Sequence, residues 1–197
     1  TIDMRSLLIV LLMLHHVVSR QFVELNYPEL IDMWNAHRKN TPNLTEIDAA
    51  DGFGDYRLPK NDCKGPCKYL LYEYTSPNYD PSADITVLII SGFHGDERLG
   101  PLIVTESFPY LNGRHMLFMP VVNPSGFINN KTFELPSQVD PYKDFSYSNL
   151  KKCFEGATSN ILNSVYQRWD IGLTIHIRQG GQQVYWPGKH VNKPYES

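Results

Sequence analysis

The stretch LIISGFHGDERLGP, from Leu88 to Pro101, decides the fold and points to the chemistry. An apolar run ends in glycine, and two good metal ligands, His94 and Glu97, follow at a spacing of three residues. A short apolar run bounded by glycine is typical of a strand that is covered on both faces. The stretch therefore predicts a buried strand whose carboxyl end carries a histidine, with Glu97 entering a helix that starts at DERLGP.

Predicted strands and helices alternate along the rest of the chain. Residues 27–40 have the apolar spacing of an amphipathic helix, with Pro28 near its start. A polar stretch dotted with glycine and proline follows to Pro66. Strands interleaved with helices predict an α/β or mixed three-layer architecture. The further predicted elements are strands at 68–75, 85–92, 115–122, 171–177 and 182–188, and a helix at 148–169.

Composition excludes some classes of function. The chain has 197 residues, of which 42% are hydrophobic, and a formal net charge of −3. This length permits one domain with a substantial core. No basic stripe is present, so nucleic acid is not an expected partner. The one long apolar run, near the N-terminus, is too short for a stable membrane span. Nothing in the sequence predicts an oligomeric state.

The N-terminus has the layout of a secretory signal peptide. Met4 and Arg5 precede the apolar run SLLIVLLMLHHVVS, and Ser19 is a small residue at the expected cleavage position. We predict a signal peptide at residues 1–19, with residues 1–3 upstream of the start methionine. The protein is then secreted, or resides in the lumen of the secretory pathway. A buried core helix is the alternative for this run.

Secretion would allow disulfides and glycans. Cys63 and Cys67 flank a Gly-Pro turn and suit a short disulfide loop in an oxidising compartment, with metal ligation as the alternative. Cys153 is left as a buried thiol or as a residue whose partner lies elsewhere. The sequons at Asn43 and Asn130 predict surface positions for both side chains.

A third metal ligand is available at another strand end. In open α/β sheets, ligands bind beyond the carboxyl ends of the strands. His176 lies near the end of the strand predicted at 171–177, so it can meet His94 and Glu97 in space. Two histidines, one glutamate and a fourth position open to water form a catalytic zinc site. Zinc lowers the pKa of its water to about 7 and polarises a carbonyl. The alternative for His176 is a core histidine.

Four motifs in order, SGFHGDERLGP, NPSGF, VDPYKDFSY and LTIH, resemble the zinc metallocarboxypeptidases of the peptidase M14 family, particularly its protist branch. The resemblance extends from about Phe22 to Ser197. It implies a mixed, mostly parallel sheet flanked by helices. It also implies that His94, Glu97 and His176 bind Zn²⁺, and that the substrates are the C-termini of peptides or proteins.

The substrate-binding positions depart from the family pattern. The family's Asn-Arg pair, which binds the substrate's C-terminal carboxylate, falls on Tyr142 and Lys143. Lysine keeps the charge but lacks the planar fork that fits a carboxylate. A second family arginine is expected after NPSGF, where Lys131 and Thr132 stand. We predict substrate binding by Lys143, as the carboxylate anchor, and by Tyr142 and Lys131.

The resemblance implies a domain that is longer than residues 22–197. It places the family's general base, a glutamate, and a tyrosine over the substrate in a C-terminal part to which this chain has no counterpart, so no general base is assigned. We expect a fragment of an active enzyme or a shortened, divergent relative. The leading hypothesis is a secreted zinc metallocarboxypeptidase that hydrolyses C-terminal residues with a metal-activated water. The alternatives are a catalytically impaired, carboxypeptidase-like binding protein and a zinc deacylase of related fold.

Overall fold

The fold is described by a computed structural model that covers residues 25–50, 68–111, 113–135, 137–145 and 156–178. Several predictions concern residues outside these ranges: the signal peptide, the three cysteines, the strand at 182–188 and the first part of the helix at 148–169. Among the described residues, no helix is long and apolar enough to cross a membrane.

Five strands and five helices make up the described part of the chain. The strands are β1 (Leu44–Asp48), β2 (Leu70–Thr75), β3 (Thr86–Ser91), β4 (His115–Met119) and β5 (Ile171–Ile177). The helices are α1 (Tyr27–Asn40), α2 (Leu99–Ser107), α3 (Pro124–Asn129), α4 (Pro141–Phe145) and α5 (Ala157–Arg168), and a 3-10 turn covers Phe108–Tyr110.

The strands form one mixed sheet in the order β1-β2-β4-β3-β5. β3 pairs in parallel with both β4 and β5, whereas β2 pairs antiparallel to β1 and β4. Four strands therefore point the same way, and only β2 opposes them. This confirms the predicted mixed, mostly parallel sheet flanked by helices.

The sheet is covered on both faces, as the apolar character of its central strands predicts. All six residues of β3 are buried. Because successive side chains of a strand point to opposite faces, Val87 and Ile89 join a core beneath α1, α2 and α3, while Leu88 and Ile90 join a second core beneath α5. The architecture is thus three-layered.

The first helix forms where the sequence predicts it. Asn26 accepts a hydrogen bond from the Glu29 backbone N–H, and the Glu29 carboxylate accepts one from the Asn26 N–H, which completes a capping box. Trp34 anchors the helix: it is fully buried, it stacks on Tyr72 with ring centroids 4.2 Å apart, and its Nε1 donates to Thr105 Oγ1 at 2.9 Å.

Three local predictions need correction. The polar region after α1 contains β1, an edge strand in which only Leu44 is buried, so it carries little hydrophobic signal. α2 begins at Leu99, so Glu97 lies in the connection before the helix rather than inside it. The strand predicted at 115–122 is shorter: β4 stops at Met119, and helix α3 begins at Pro124, inside the NPSG stretch.

Candidate functional site

The three predicted metal ligands lie at the same edge of the sheet. β3 and β5 are parallel neighbours, with Ile90 opposite His176 in register, so their carboxyl ends meet. His94 follows β3 in a tight connection, and the Glu97 backbone N–H donates to the His94 carbonyl at 3.1 Å. This connection turns the Glu97 carboxylate back toward the His94 ring.

His94 has both ring nitrogens engaged. Its Nδ1 lies 3.1 Å from Glu97 Oε1, and its Nε2 lies 3.1 Å from Asp140 Oδ1. Arg178 Nη2 lies 3.3 Å from the same Nδ1, and a guanidinium can only donate. A carboxylate can only accept, so Nε2 carries a proton and donates it to Asp140. Nδ1 points into the site, between the Glu97 carboxylate and the Arg178 guanidinium.

Asp140 is a site residue that the sequence analysis missed. Burial alone would raise the pKa of its carboxyl, but hydrogen bonds from His94 and from the Lys143 backbone N–H outweigh burial and lower that pKa. Asp140 thus stays ionised and fixes the orientation of the His94 ring. A carboxylate that holds a histidine in this way is the usual outer partner of a metal-binding imidazole.

Glycine and asparagine position the His94 connection. Gly92 has φ +65°, and Pro120 and Val121 backbone atoms lie where its Cβ would project. At Gly95, a Cβ would overlap the carbonyl group of Gly126. The two glycines that flank Phe93 and His94 therefore let the connection pack directly against the residues that follow β4 and against helix α3.

Asn123 ties this turn to the connection. Its side chain is fully buried: Oδ1 accepts from the Gly126 N–H at 2.9 Å, and Nδ2 donates to the Phe93 carbonyl at 3.1 Å. One amide thus caps α3 and also fixes the residue before His94. This gives the NPSG motif a structural role next to the site.

His176 lies among aromatic rings near His94. Its ring centroid is 4.6 Å from that of Phe93 and 5.9 Å from that of Tyr142, which is itself 6.3 Å from the His94 ring. Burial is the largest cause that lowers the pKa of His176, to about 4, and the nearby Arg178 and His94 add to it. The imidazole is therefore neutral at physiological pH and has a lone pair to offer.

Arg178, the residue after β5, reaches into the site. Its Nη2 donates to Glu97 Oε1 at 3.0 Å and to His94 Nδ1 at 3.3 Å, and its guanidinium lies 4.3 Å from the centre of the Tyr142 ring. A protein cation thus sits between two of the predicted metal ligands. The sequence alone does not point to this residue, because its position depends on how the chain leaves β5.

Several polar atoms at the site lack a partner. Among the described residues, six buried side-chain N or O atoms have no hydrogen-bond partner, and three of them belong to this site: Glu97 Oε2, His176 Nε2 and Arg178 Nε. Such atoms are costly to bury unsatisfied, and their concentration at one place indicates that a ligand completes the site.

The donor set fits zinc. The 3.1 Å between His94 Nδ1 and Glu97 Oε1 is close to the roughly 3.3 Å that separates two ligands of a tetrahedral zinc ion with bonds of about 2.0–2.1 Å. His176 supplies a buried Nε2 that no described residue contacts by a hydrogen bond. Over the described ranges, however, no group of three His, Cys, Asp or Glu side chains is already arranged around one metal position. Metal binding therefore requires Arg178 to withdraw from Glu97 and His94.

The predicted substrate-binding residues lie at different depths. Tyr142 is part of the site, since its ring faces His94, His176 and Arg178. Lys143 is 83% exposed and pairs with Asp140 Oδ2 at 3.4 Å. Lys131 has an exposed side chain, and its carbonyl accepts from the Gly95 N–H.

Comparison with solved structures identifies the fold. The chain superposes on carboxypeptidase A from Helicoverpa armigera with a TM-score of 0.59 and 13% identity, covering 84% of this chain and 50% of that one. The chain has the metallocarboxypeptidase fold. Thrombin activatable fibrinolysis inhibitor shares this fold at a TM-score of 0.57 and 13% identity, over 77% of this chain and 46% of that one.

A bacterial metallopeptidase shares the metallocarboxypeptidase fold as well. The protein from Shewanella amazonensis SB2B matches with a TM-score of 0.54 and 16% identity, over 78% of this chain and 55% of that one. The chain thus spans about half the length of these relatives. No protein-family model matches the sequence, and no curated protein matches it. The likeness at these identities establishes the fold alone.

Proposed function

We propose that this protein is a zinc metallocarboxypeptidase that removes C-terminal residues from peptides. The observation that carries the proposal is the approach of His94 Nδ1 to Glu97 Oε1, 3.1 Å apart after the end of β3. The neighbouring strand carries His176, whose buried Nε2 has no partner within the described ranges. The metallocarboxypeptidase fold supports the same conclusion.

His94, Glu97 and His176 would hold the ion. When bound, zinc supplies a Lewis acid that polarises the scissile carbonyl and lowers the pKa of a water molecule. The outer partner of the site is Asp140, which keeps the proton of His94 on Nε2 and leaves Nδ1 as the ligand atom. His176 is neutral at physiological pH because burial and neighbouring positive charge lower its pKa, so no proton has to leave it before it binds.

Aromatic side chains form the wall of the site. Phe93 is buried and packs against His176, while Tyr142 contacts both imidazoles and the Arg178 guanidinium. These rings cover part of the surface of the ligands, and the lower local dielectric strengthens electrostatic interactions there. Tyr142 is placed to contact a substrate that approaches the metal, in line with its assignment from the sequence.

The test is hydrolysis of a peptide by the zinc-loaded protein, followed by mass spectrometry. A peptide with a free C-terminus is expected to lose C-terminal residues, and its C-terminal amide is expected to remain intact. Removal of zinc with a chelator should stop the reaction, and added zinc should restore it. Cleavage of the peptide whose C-terminus is an amide, or cleavage that continues after zinc is removed, would contradict the proposal. Release of acyl groups from N-acyl amino acids would instead identify a deacylase.

A second function is favoured by one observation: Arg178 bonds to Glu97 and His94, so the site is closed to metal until that residue moves. A carboxypeptidase-like protein that binds peptide C-termini without cleaving them is consistent with this arrangement. Binding of the free peptide in preference to its amide, without any hydrolysis in the presence of zinc, would establish that function.

We also propose that the protein passes through the secretory pathway. The apolar N-terminal segment motivates this, and both sequon asparagines, Asn43 and Asn130, are exposed. Expression in secreting eukaryotic cells should yield protein in the medium whose mass falls on treatment with a peptide N-glycosidase. Protein that stays inside the cell without glycans would contradict this.

A further inference from the structure

We propose that Arg178 binds the C-terminal carboxylate of the substrate once a metal ion has replaced it as the partner of Glu97 and His94. This inference rests on the proposed function and names the residue that recognises the substrate. It starts from the position of a cation inside the site, where the sequence analysis predicts only Lys143 and Lys131 for this role.

The contacts of Arg178 are only partly formed. Nη2 donates to Glu97 Oε1 at 3.0 Å, but neither the buried Nε nor the buried Glu97 Oε2 has a partner among the residues that the structure describes. A guanidinium usually binds a carboxylate through two parallel N–H···O bonds. The pair therefore leaves a donor of Arg178 and an acceptor of Glu97 unused. An anion would satisfy the first, and a metal ion would satisfy the second.

Metal binding would compete with the present contacts of Arg178. Glu97 and His94, which Nη2 now contacts, would hold the ion, and two positive charges on the same ligand atoms would repel each other in a partly buried site. Tyr142 gives Arg178 an alternative support, because the guanidinium already lies 4.3 Å from the centre of that ring. Arg178 then remains beside the ligands with its N–H groups free for a new acceptor.

Arg178 suits a substrate carboxylate better than the exposed lysines do. Its side chain is 26% exposed, whereas that of Lys143 is 83% exposed and already pairs with Asp140. A less solvated charge binds an anion more strongly, and the planar fork matches a carboxylate in a way that an ammonium does not. Arg178 thus supplies the arginine chemistry that is absent at Lys143.

The exchange predicts coupling between two ligands. Metal at Glu97 and His94 frees Arg178 for a carboxylate, and a carboxylate on Arg178 frees Glu97 and His94 for the metal. Each ligand therefore raises the affinity for the other, and the two effects must be equal in size. Without the guanidinium, this part of the coupling disappears.

The test measures the binding of 3-phenylpropanoate by calorimetry. This carboxylate has no peptide bond to hydrolyse, and 3-phenylpropanamide is its uncharged analogue. The zinc-loaded protein is expected to bind the carboxylate but not the amide. R178Q should bind it roughly 10- to 100-fold more weakly, the range expected for a lost charged hydrogen bond. R178K, which keeps the charge but loses the fork, should fall between. R178Q should also bind zinc about tenfold more tightly, since no internal cation competes for the ligands.

The matched control is R168Q, and K143Q tests the alternative anchor that the sequence predicts. Arg168 also lies over an aromatic ring, that of Trp169, but at the end of α5. R168Q should bind carboxylate and zinc as the wild type does, K143Q should keep the carboxylate affinity, and circular dichroism should show that all variants fold. Wild-type carboxylate affinity in R178Q, loss of that affinity in K143Q, or weaker zinc binding in R178Q would each overturn the inference.

The result also separates this inference from the proposed function. Zinc-loaded protein that hydrolyses peptides but binds the carboxylate independently of Arg178 defeats the inference alone. Arg178-dependent carboxylate binding without hydrolysis supports the inference and contradicts peptidase activity. A wild-type protein that takes up no zinc defeats both.

Discussion

At the scale of single residues, Asp140 decides which nitrogen of His94 faces the site. The carboxylate accepts the Nε2 proton at 3.1 Å, and backbone N–H groups of Tyr142 and Lys143 hold the carboxylate in turn. The substitution D140N removes the charge while keeping the size of the side chain. Loss of such an outer partner typically lowers metal affinity about 10- to 100-fold, so we expect D140N to bind zinc more weakly by a factor in that range.

Competition with a chromogenic chelator measures this change directly. D170N is the matched control, because Asp170 is exposed and precedes β5 at its opposite end. The control should keep wild-type affinity. If D140N also keeps it, Asp140 has no part in orienting the ligand.

Gly95 is a second residue on which the site depends. A Cβ at this position would overlap the Gly126 carbonyl, and backbone atoms cannot give way as a flexible side chain can. We expect G95A to lower the free energy of unfolding by about 3 kcal/mol, the upper part of the usual cost of overpacking. Urea denaturation followed by Trp fluorescence provides the measurement.

G113A is the control for overpacking. The three atoms nearest to a Cβ at Gly113 all belong to the flexible Met116 side chain, which can adjust, so the cost should stay within about 1 kcal/mol. Equal stability of G95A and the wild type would mean that the turn at Gly126 does not pack against the His94 connection as described.

At the scale of secondary-structure elements, two buried carboxylates fix the start of α5. Glu134 accepts from the backbone N–H groups of Ala157 and Thr158, at 3.0 and 2.9 Å, and Asp144 accepts from Gly156 N–H and from the Ser159 hydroxyl. Acceptors at a helix N-terminus satisfy its free N–H groups and interact favourably with the helix dipole. Glu134 and Asp144 lie in sequence on either side of Asp140, so α5 also anchors the segment that orients His94.

E134Q tests this anchor. Glutamine offers one acceptor oxygen where glutamate offers two, so one of the two buried N–H groups loses its partner. We expect the free energy of unfolding to fall by about 1–3 kcal/mol. E106Q is the control, since Glu106 is exposed on α2 and should change stability by no more than about 0.5 kcal/mol. If both variants have the same denaturation midpoint, the cap contributes nothing measurable.

At the scale of the whole molecule, the sequence predicts the elements with strong hydrophobic patterns. The strand predicted at 171–177 and the helix at 27–40 have the predicted bounds, and β3 lies within the predicted 85–92. β1 was not predicted, because an edge strand with one buried side chain shows almost no alternation of apolar and polar residues. Glu97 was predicted inside a helix because the spacing of three residues is common to helices and to tight connections.

The site was only partly predictable for a related reason. His94, Glu97 and His176 are visible because each follows or ends a strongly apolar strand. Asp140 and Arg178 reach the site through the conformation of polar connections, which hydrophobic periodicity does not encode. Their roles depend on tertiary contacts. Asp140 accepts the ring proton of His94, and Arg178 contacts the Glu97 carboxylate and the face of the Tyr142 ring.

The zinc stoichiometry of the purified protein tests the central claim most directly. After equilibration with zinc and removal of the excess, we expect one ion per wild-type chain, measured by atomic emission. H94A and H176A should lose the ion. H37Q should keep it, because His37 lies in α1 and its ring contacts the Thr105 carbonyl of α2. A wild-type chain without zinc, or an H176A variant that retains a full equivalent with unchanged affinity, would contradict the account.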